Sequence, residues 1–597
     1  MTGFQLKDDD KKTAELSALL KRRGFFFPSF EIYGGMAGFF DMGPMGSMLK
    51  DNIIRVWKNR FLVSEGFLLV DCPSLTPEVV FRHSGHLDKF TDILTRCDDC
   101  REPFRADHLL EGIIENPDTL ETEDLSGALI ENNVKCPACG GKLGSLEEFN
   151  LMFKTFIGPG TERPAYLRPE TAQSIFLDFS LLYRTNRERI PFGVAQIGRG
   201  FRNEISPRQG LLRQREFNMA EGEFFYDPET EGFPPFEEYR DLNVNLVPAS
   251  DPDNTVTITL KEAVSSSMIC SEVLAHYMGV TFSFSNEIGI PSEYMRFRQH
   301  LPSEMAHYAS DCWDLEVLTS YGWIEMVGIA DRSAYDLTQH ARGSGQDMTA
   351  MRRYPEPVLK KITSLDVDMK ILGPVFKGEA KLVKESLESE DPERIRKALA
   401  TGSSITVSIP SGDVEVPPEA VKVTEEEKSV SGERYVPHVV EPSFGIDRLM
   451  VAVIEHAYFE AEKSPLKKES DHEQGPYRVM RLKAEVSPVK CGVFPLMNKD
   501  GLPEVALPVE KELRKRGLIT YYDHSGSIGR RYARMDEIGT PFNVTVDYDS
   551  LKDSTVTLRE RDTGAQKRIP SIEVPGIVED LIEGKKIFCD LEYPDVD

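Results

Sequence analysis

No apolar run in the chain approaches the roughly eighteen residues that a bilayer-spanning helix requires. A transmembrane protein of the helical kind is therefore excluded. Cysteine is scarce too, at nine in 597 residues. That density cannot staple a disulfide scaffold, and four of the nine form two CxxC pairs, the pattern of a metal site in a reducing compartment. Positive charge is in short supply, with 71 Lys and Arg against 98 Asp and Glu and a net charge of −27. Wrapping nucleic acid in a cationic surface is thereby excluded, and any RNA partner must meet local basic patches. The opening residues, MTGFQLKDDDKK, lack the apolar core of an export signal and carry acid early. These features predict a cytoplasmic protein with no membrane association.

What is present is ordinary soluble composition, 40% hydrophobic and 28% charged. The length predicts three or four folding units. Residues 12–23 read as a short amphipathic helix, followed by a stretch dense in glycine and aromatics, GFFFPSFEIYGGMAGFFDMGPMGSMLK. Leu49, Ile53, Ile54, Trp57 and Phe61 then recur at helical spacing, and Phe67–Val70 reads as a strand. Residues 193–227 give two strand-like runs around a polar loop, a hairpin. Residues 229–290 and the acidic stretch 350–432 carry little pattern and are expected as insertions. Residues 437–457 form a strand running into an apolar helix. After a charged linker at 463–476, residues 487–597 alternate strand and helix, which predicts a small α/β domain with a mostly parallel sheet. No internal repeat is present.

Three clusters carry chemistry. In the first, Arg202 on one arm of the hairpin and Phe217 on the other could clamp a nucleotide, the guanidinium on phosphate and the ring on the base. A charged surface hairpin fits the same residues equally well. In the second, Glu441-Pro442-Ser443-Phe444-Gly445-Ile446-Asp447-Arg448, a strand passes into a helix and sets Arg448 in its first turn. An anion, or a structural carboxylate, would satisfy that arginine. The third is Tyr166-Leu167-Arg168-Pro169-Glu170-Thr171-Ala172-Gln173. If Glu170, Glu221 and Glu441 converge, they make a pocket for a small cation such as an amino acid's ammonium group.

Taken together these blocks resemble the class II aminoacyl-tRNA synthetases. FRNE at 201–204 with the later arginine and Phe217 is similar to their motif 2, GIDR at 445–448 to motif 3, and EGFLLVDCPSLTP with Pro73 to motif 1. EIYGGMAGFFDMGPMGSMLK, SGH at 84–86, FRADH at 104–108, RPETAQ, GIADRSAYDL and EPSFGIDR resemble the glycine-specific enzymes of the dimeric archaeal and eukaryotic type. The likeness runs from about residue 20 to the C-terminus. It implies an α+β fold: an antiparallel-sheet catalytic domain over 1–480 with insertions at 92–150, 229–290 and 350–432, and an anticodon-binding α/β domain over 487–597. It implies a homodimer joined through motif 1, and transfer of glycine to tRNA(Gly) through a glycyl-adenylate.

The resemblance also implies site residues. Arg202, Glu204 and Arg448 would be catalytic, with Arg202 on the α-phosphate and Arg448 on the γ-phosphate. ATP would further meet Asn203, the run Leu212, Arg213, Gln214, Arg215, Glu216 and Phe217, the pair Glu325 and Met326, and Gly445, Ile446 and Asp447. Glu325 would also be the magnesium ligand. Glycine would lie among Glu170, Phe217, Asn218, Met219, Ala220 and Glu221 and the strand Glu441, Pro442, Ser443, Phe444 and Gly445, with Arg105 at its carboxylate. His86 either lines this site or serves the core.

Cys97 and Cys100 with Cys136 and Cys139 supply two thiolates from each CxxC. That set would close a tetrahedral zinc site with no open position, so the metal would be structural. The 35 intervening residues (101–135) exceed the usual spacing of about 15–20. Four free thiols are the alternative. In the C-terminal domain the basic runs KELRKRG and GRRYAR are read as tRNA-facing, against the alternative of a solvated helix face. A synthetase for another small amino acid, a non-catalytic relative and a zinc-bearing RNA binder are the rival functions. The last leaves the hairpin and GIDR without a purpose.

Overall fold

Alternation of side chains along long β-runs builds a nine-stranded sheet, and its register decides which residues can meet. In chain order its strands are β1 (Leu68–Val70), β2 (Phe192–Phe201), β3 (Glu216–Tyr226), β4 (Asn243–Val247), β5 (Val256–Thr259), β6 (Met295–Gln299), β7 (Asp311–Thr319), β8 (Gly322–Ser333) and β9 (His438–Gly445). Their spatial order is β5-β4-β6-β7-β8-β9-β3-β2-β1. Every pairing is antiparallel except β1 with β2 and β4 with β6. This computed structural model describes residues 9–461 and 477–596, apart from 115, 116, 118, 119, 206, 208, 307, 391, 402, 403, 410 and 411. The linker expected at 463–476 lies outside the described residues.

One face of the sheet is the core. Ala220, Phe224, Val327, Ile329, Val440 and Phe444 are buried there with residues of three helices, α1 (Pro44–Lys58), α2 (Glu272–Glu287) and, following β9 directly, α4 (Ile446–Ala457). The helix α3 (Tyr335–Ser344) follows β8. Phe444 sits at the aromatic centre, its ring 5.3 Å from both Phe61 and Phe284 and edge-on to Trp57 at 6.0 Å. Burying one such side chain stabilises the fold by about 1.5–3 kcal/mol. The helices have local reasons to form: Pro44 sits in the first turn of α1, and the Ser271 hydroxyl caps α2 by accepting from the Leu274 amide at 3.1 Å.

Because β-side chains alternate, the residues between those core positions face the other way. Met219, Glu221 and Glu223 on β3 and Glu441, Ser443 and Gly445 on β9 share this second face. Glu221 is registered on Ser443, Ser443 on Gly328, and Glu441 on Ala330. The stretch 229–290, expected as an insertion, is built into the main body instead. It supplies β4, β5 and α2, whose Tyr277, Met278, Val280 and Phe284 belong to the same core.

Residues Thr349–Tyr435 form a second compact unit. A long two-stranded ribbon, a short hairpin and three helices enclose a core of its own, including Leu372, Val383, Leu387, Ile395, Val407 and Val416.

The C-terminal domain carries a five-stranded sheet: β10 (Cys491–Pro495), β11 (Thr520–Tyr522), β12 (Phe542–Val546), β13 (Thr555–Glu560) and β14 (Gln566–Pro570). The expectation of a mostly parallel sheet is corrected here. β10 pairs in parallel with β11 and β12, but β12–β13 and β13–β14 are antiparallel. Parallel neighbours need a helical crossover, which α5 (Leu502–Lys515) and α6 (Ile528–Ile538) provide, whereas the last strands are joined by short connections that only antiparallel pairing can use. Asn52 on α1 ties this domain to the main body by donating to the carbonyls of Val486 and Ser487 at 3.2 and 3.0 Å.

Candidate active site

The hairpin β2–β3 and the strand-to-helix joint β9–α4 meet over the second face of the sheet. Arg202, Glu204, Phe217, Glu325, Met326, Gly445 and Arg448 line one cleft of about 600 Å³ that opens to solvent. Two guanidinium groups 246 positions apart in sequence (202 and 448) therefore share a single cavity. The Arg202 guanidinium lies between the rings of Phe90 and Phe217, at 5.4 and 5.3 Å from their centroids. Phe217 can lie there because its cross-strand partner is Gly200, where a Cβ would come within 2.7 Å of the ring. Arg448 donates to the Glu325 backbone oxygen at 2.9 Å, to its carboxylate at 3.0 Å, and to the Leu212 carbonyl at 3.2 Å. Partial desolvation opposes ionisation of Glu325, whose side chain is half exposed at the cleft wall, yet Arg448 beside it holds the carboxyl below its usual range.

Other residues of the two motifs are spent on holding the cleft together. Asp447 accepts from the Gln214 side chain at 3.1 Å, the Asn218 amide at 2.8 Å and the Asn218 side chain at 3.0 Å, fixing the start of β3 against the first turn of α4. Arg215 donates to the Glu204 carbonyl at 2.8 Å and to that of Ala37 at 2.8 Å, pinning the loop between the hairpin arms. Arg213 reaches His108 at 3.2 Å, and Glu216 pairs with Arg199. Arg105 is engaged by Asp107 at 2.6 Å and Asp92 at 3.1 Å, and is not among the residues lining this cleft.

Next to the cleft lies a cluster of carboxyls. Glu221 is fully committed: Ser443 donates to one oxygen at 2.6 Å, and the Thr171 amide and hydroxyl donate to the other. Glu170 accepts from Gln173 at 2.9 Å and lies 3.4 Å from His86, whose ring also meets the Ser84 hydroxyl at 2.7 Å. Against its burial, His86 and Arg332 hold Glu170 well below the usual carboxylate range. The organising cation is Arg332, only 1% exposed. It donates twice to Asp336, at 2.8 and 3.0 Å, and once to Glu441 at 2.8 Å, with Glu170 at 3.8 Å. Its guanidinium also lies 3.7 Å from the Tyr308 ring centre. Burial pushes Glu441 up to about 7 despite this partner. Arg332 and Asp336 stand inside the quoted block GIADRSAYDL but carry no assignment from sequence, and Glu223 none at all. Nothing in a sequence shows that a given arginine is buried among acids.

A separate cluster joins the two CxxC pairs. The sulfurs of Cys97, Cys100, Cys136 and Cys139 all lie within 4.8 Å of one another. Each pair forms the same tight turn: Arg101 and Gly140, both at positive φ, donate back to the carbonyls of Cys97 and Cys136 at 3.0 and 2.8 Å. Amide donation from Cys100 leads in lowering the Cys97 thiol to about 7, against a smaller burial effect.

The basic runs of the C-terminal domain divide between one buried arginine and several surface ion pairs. Arg531 is buried and donates to the carbonyls of Pro495 at 2.6 Å and Gly526 at 2.8 Å, while Arg514, Lys515, Arg516 and Arg534 pair with Glu510, Glu512, Glu579 and Asp523.

An antiparallel sheet carrying an arginine–phenylalanine hairpin and a strand-to-helix arginine over one cleft is the framework of a class II aminoacyl-tRNA synthetase. A profile described as the tRNA synthetase class II core domain (G, H, P, S and T) matches residues 155–239, and one described as an anticodon binding domain matches 490–581. A solved structure of Giardia lamblia prolyl-tRNA synthetase with prolyl-adenylate superposes with a TM-score of 0.50 at 12% identity, over 96% of this chain and 79% of that one, a likeness of fold. The glycine–tRNA ligase of Methanothrix thermoacetophila is 45% identical over 97% of this chain and 99% of its own length. That of Methanocaldococcus jannaschii is 42% identical over 92% and 96%. The chain belongs to the glycine–tRNA ligase family.

Proposed function

We propose that this protein charges tRNA(Gly) with glycine in two steps. A glycine carboxylate oxygen attacks the α-phosphorus of ATP and pyrophosphate leaves. A terminal ribose hydroxyl of the tRNA then attacks the carbonyl of the glycyl-adenylate and AMP leaves. No protein nucleophile is needed, so catalysis is positioning and charge stabilisation. Arg202 holds the α-phosphate, Arg448 the γ-phosphate, and Phe217 stacks on adenine. Glu170, Glu221, Glu441 and Ser443 surround the ammonium group. The observation that carries this reading is the shared cleft of Arg202, Phe217, Glu325 and Arg448 beside the carboxyl cluster. Magnesium bound with ATP neutralises phosphate charge, and Glu325, ionised and at the cleft wall, is the side chain that would hold it.

The four-cysteine cluster suits structural zinc. A tetrahedral Zn–S bond of about 2.3 Å sets sulfurs roughly 3.8 Å apart. The contacts Cys97–Cys139 and Cys100–Cys136 are 3.5 and 3.6 Å. The homodimer expected through motif 1 finds support in the exposed Val63, Leu69, Leu75 and Val79 beside the sheet-edge strand β1, an apolar edge that another copy would cover. Light scattering that returns a monomer at micromolar concentration rejects the dimer. The reading as a whole places the chain in the cytoplasm, where none of its nine cysteines needs to form a disulfide.

The deciding experiment is glycine-dependent ATP–pyrophosphate exchange on the purified protein, followed by charging of bulk tRNA. Removing one preorganised donor typically costs about a hundredfold or more, so Arg202→Ala should lower the exchange rate by at least that factor. Near-normal exchange in the variant overturns the assignment.

A further inference from the structure

Five carboxyls crowd the face of the sheet behind the cleft: Glu170, Glu221, Glu223, Glu441 and Asp336, around the guanidinium of Arg332, with the buried Arg168 adding its charge near Glu221. Four of them have fixed donors. The fifth has none. Glu223 is fully buried, and neither of its carboxyl oxygens meets a hydrogen-bond donor among the described residues. It stands two residues along β3 from Glu221, on the same face, and feels the charge of Glu441. A buried carboxylate without a donor is costly, and a second buried carboxyl beside it raises the cost of ionising both.

We propose that Glu223 and Glu441 form a proton-holding pair: in the empty pocket they retain a proton that the incoming ammonium of glycine displaces to solvent. This rests on the reading of the carboxyl cluster as the glycine site. The balance is simple, since the pocket gains one positive charge with the ammonium and loses one with the proton. Glu223 does not donate to the substrate. It acts through Glu441 and is a positioning residue for the substrate's charge.

The surrounding groups leave this exchange to the pair. From β3, Glu221 is fixed by Ser443 and Thr171. From β8 and α3, Arg332 and Asp336 are bound to each other, and Glu170 is held ionised by His86 and Arg332. Burial keeps Tyr308, Cys312 on β7 and His340 on α3 neutral near pH 7. Burial pushes Glu441 up to about 7, and burial with the charge of Glu441 pushes Glu223 well above its ordinary value. Below pH 7 the proton therefore competes with the ammonium, and the KM for glycine should rise as pH falls, by up to about tenfold per unit for one proton.

The test uses the full-length protein. Calorimetry of glycine binding in two buffers of different ionisation enthalpy at pH 7 should report release of a substantial fraction of a proton. In Glu223→Gln, which keeps the shape and removes the ionisable group, that release should fall. Its acid limb of glycine KM should move down, so that at pH 6 its KM is at least about threefold lower than that of the parent. Thermal melting checks that the variant folds. Zero proton release by the parent overturns the proposal whether or not the variant folds. So does a folded variant whose KM profile and proton release match the parent. Absence of glycine-dependent exchange in the parent at every pH overturns the pocket assignment itself, a different outcome from normal exchange with an unmoved profile.

Discussion

Replacing Arg332 by Met removes the central buried cation from an acid-rich pocket while nearly preserving volume. Three hydrogen bonds of 2.8–3.0 Å to Asp336 and Glu441 disappear, from a side chain that is 1% exposed, so solvent cannot compensate. Charge-assisted bonds contribute about 1.5–3 kcal/mol each, but their sum overstates the loss, because stranded carboxyls can take up protons instead. Breaking a buried pair by deleting one partner typically costs about 3–5 kcal/mol, and that range is the expectation at pH 7.5. The pH dependence follows from the same escape route. In the variant Glu441, already raised to about 7 by burial, loses the charge that favours its ionised form, so its folded pKa climbs further above the unfolded one. The folded variant then binds more protons than the unfolded chain, and its stability falls as pH rises through the interval between those values. The deficit against the parent should therefore be small near pH 5 and largest above pH 7. Thermal melting across pH 5–8 reads this directly, as a drop of several degrees at pH 7.5 that shrinks on acidification. A drop smaller than about 1 kcal/mol, or one independent of pH, would refute the role given to Arg332.

Two further outcomes follow from the same geometry. Metal analysis should find one zinc per chain, and a chelator should loosen residues 91–150 in hydrogen exchange while leaving protection of β2, β3 and β9 intact; a chain that carries no zinc and is indifferent to chelation rejects the site. Alanine should be a poor substrate in pyrophosphate exchange, because a methyl must fit against a wall of fixed side chains, whereas exchange comparable to glycine would show an open pocket.

The catalytic hairpin was legible in sequence because its signals are local. Ten residues of alternating character, a polar loop and eleven more set Gly200 against Phe217 without help from the rest of the chain. The strand-to-helix joint at Gly445 was legible for the same reason. The segment 229–290 was misjudged because its apolar residues serve edge strands and a helix buried all round, such as Leu274, Tyr277 and Phe284, which leave no one-sided periodicity. The carboxyl cluster was half visible. Glu170, Glu221 and Glu441 could be named, but the cation that makes their company tolerable sits 109 residues before Glu441, and pairing at that range has no sequence signature. The basic runs at 511–516 and 530–534 were legible as charge but not as geometry. Of their cations, Arg531 spends its guanidinium on backbone carbonyls, while Arg514 and Lys515 stay exposed beside their carboxylate partners.

The bond between Arg332 and Glu441 also sets a timetable for the growing chain. At roughly 5–20 residues per second, the ribosome releases the glutamate about 5–20 s after its arginine, with all of Thr349–Tyr435 emerging between them. During that interval β8 has no β9 to pair with, and the guanidinium has only Asp336 and Glu170 to neutralise it. Nascent protein thus waits in a half-built state at a spot where the finished molecule crowds buried charge together.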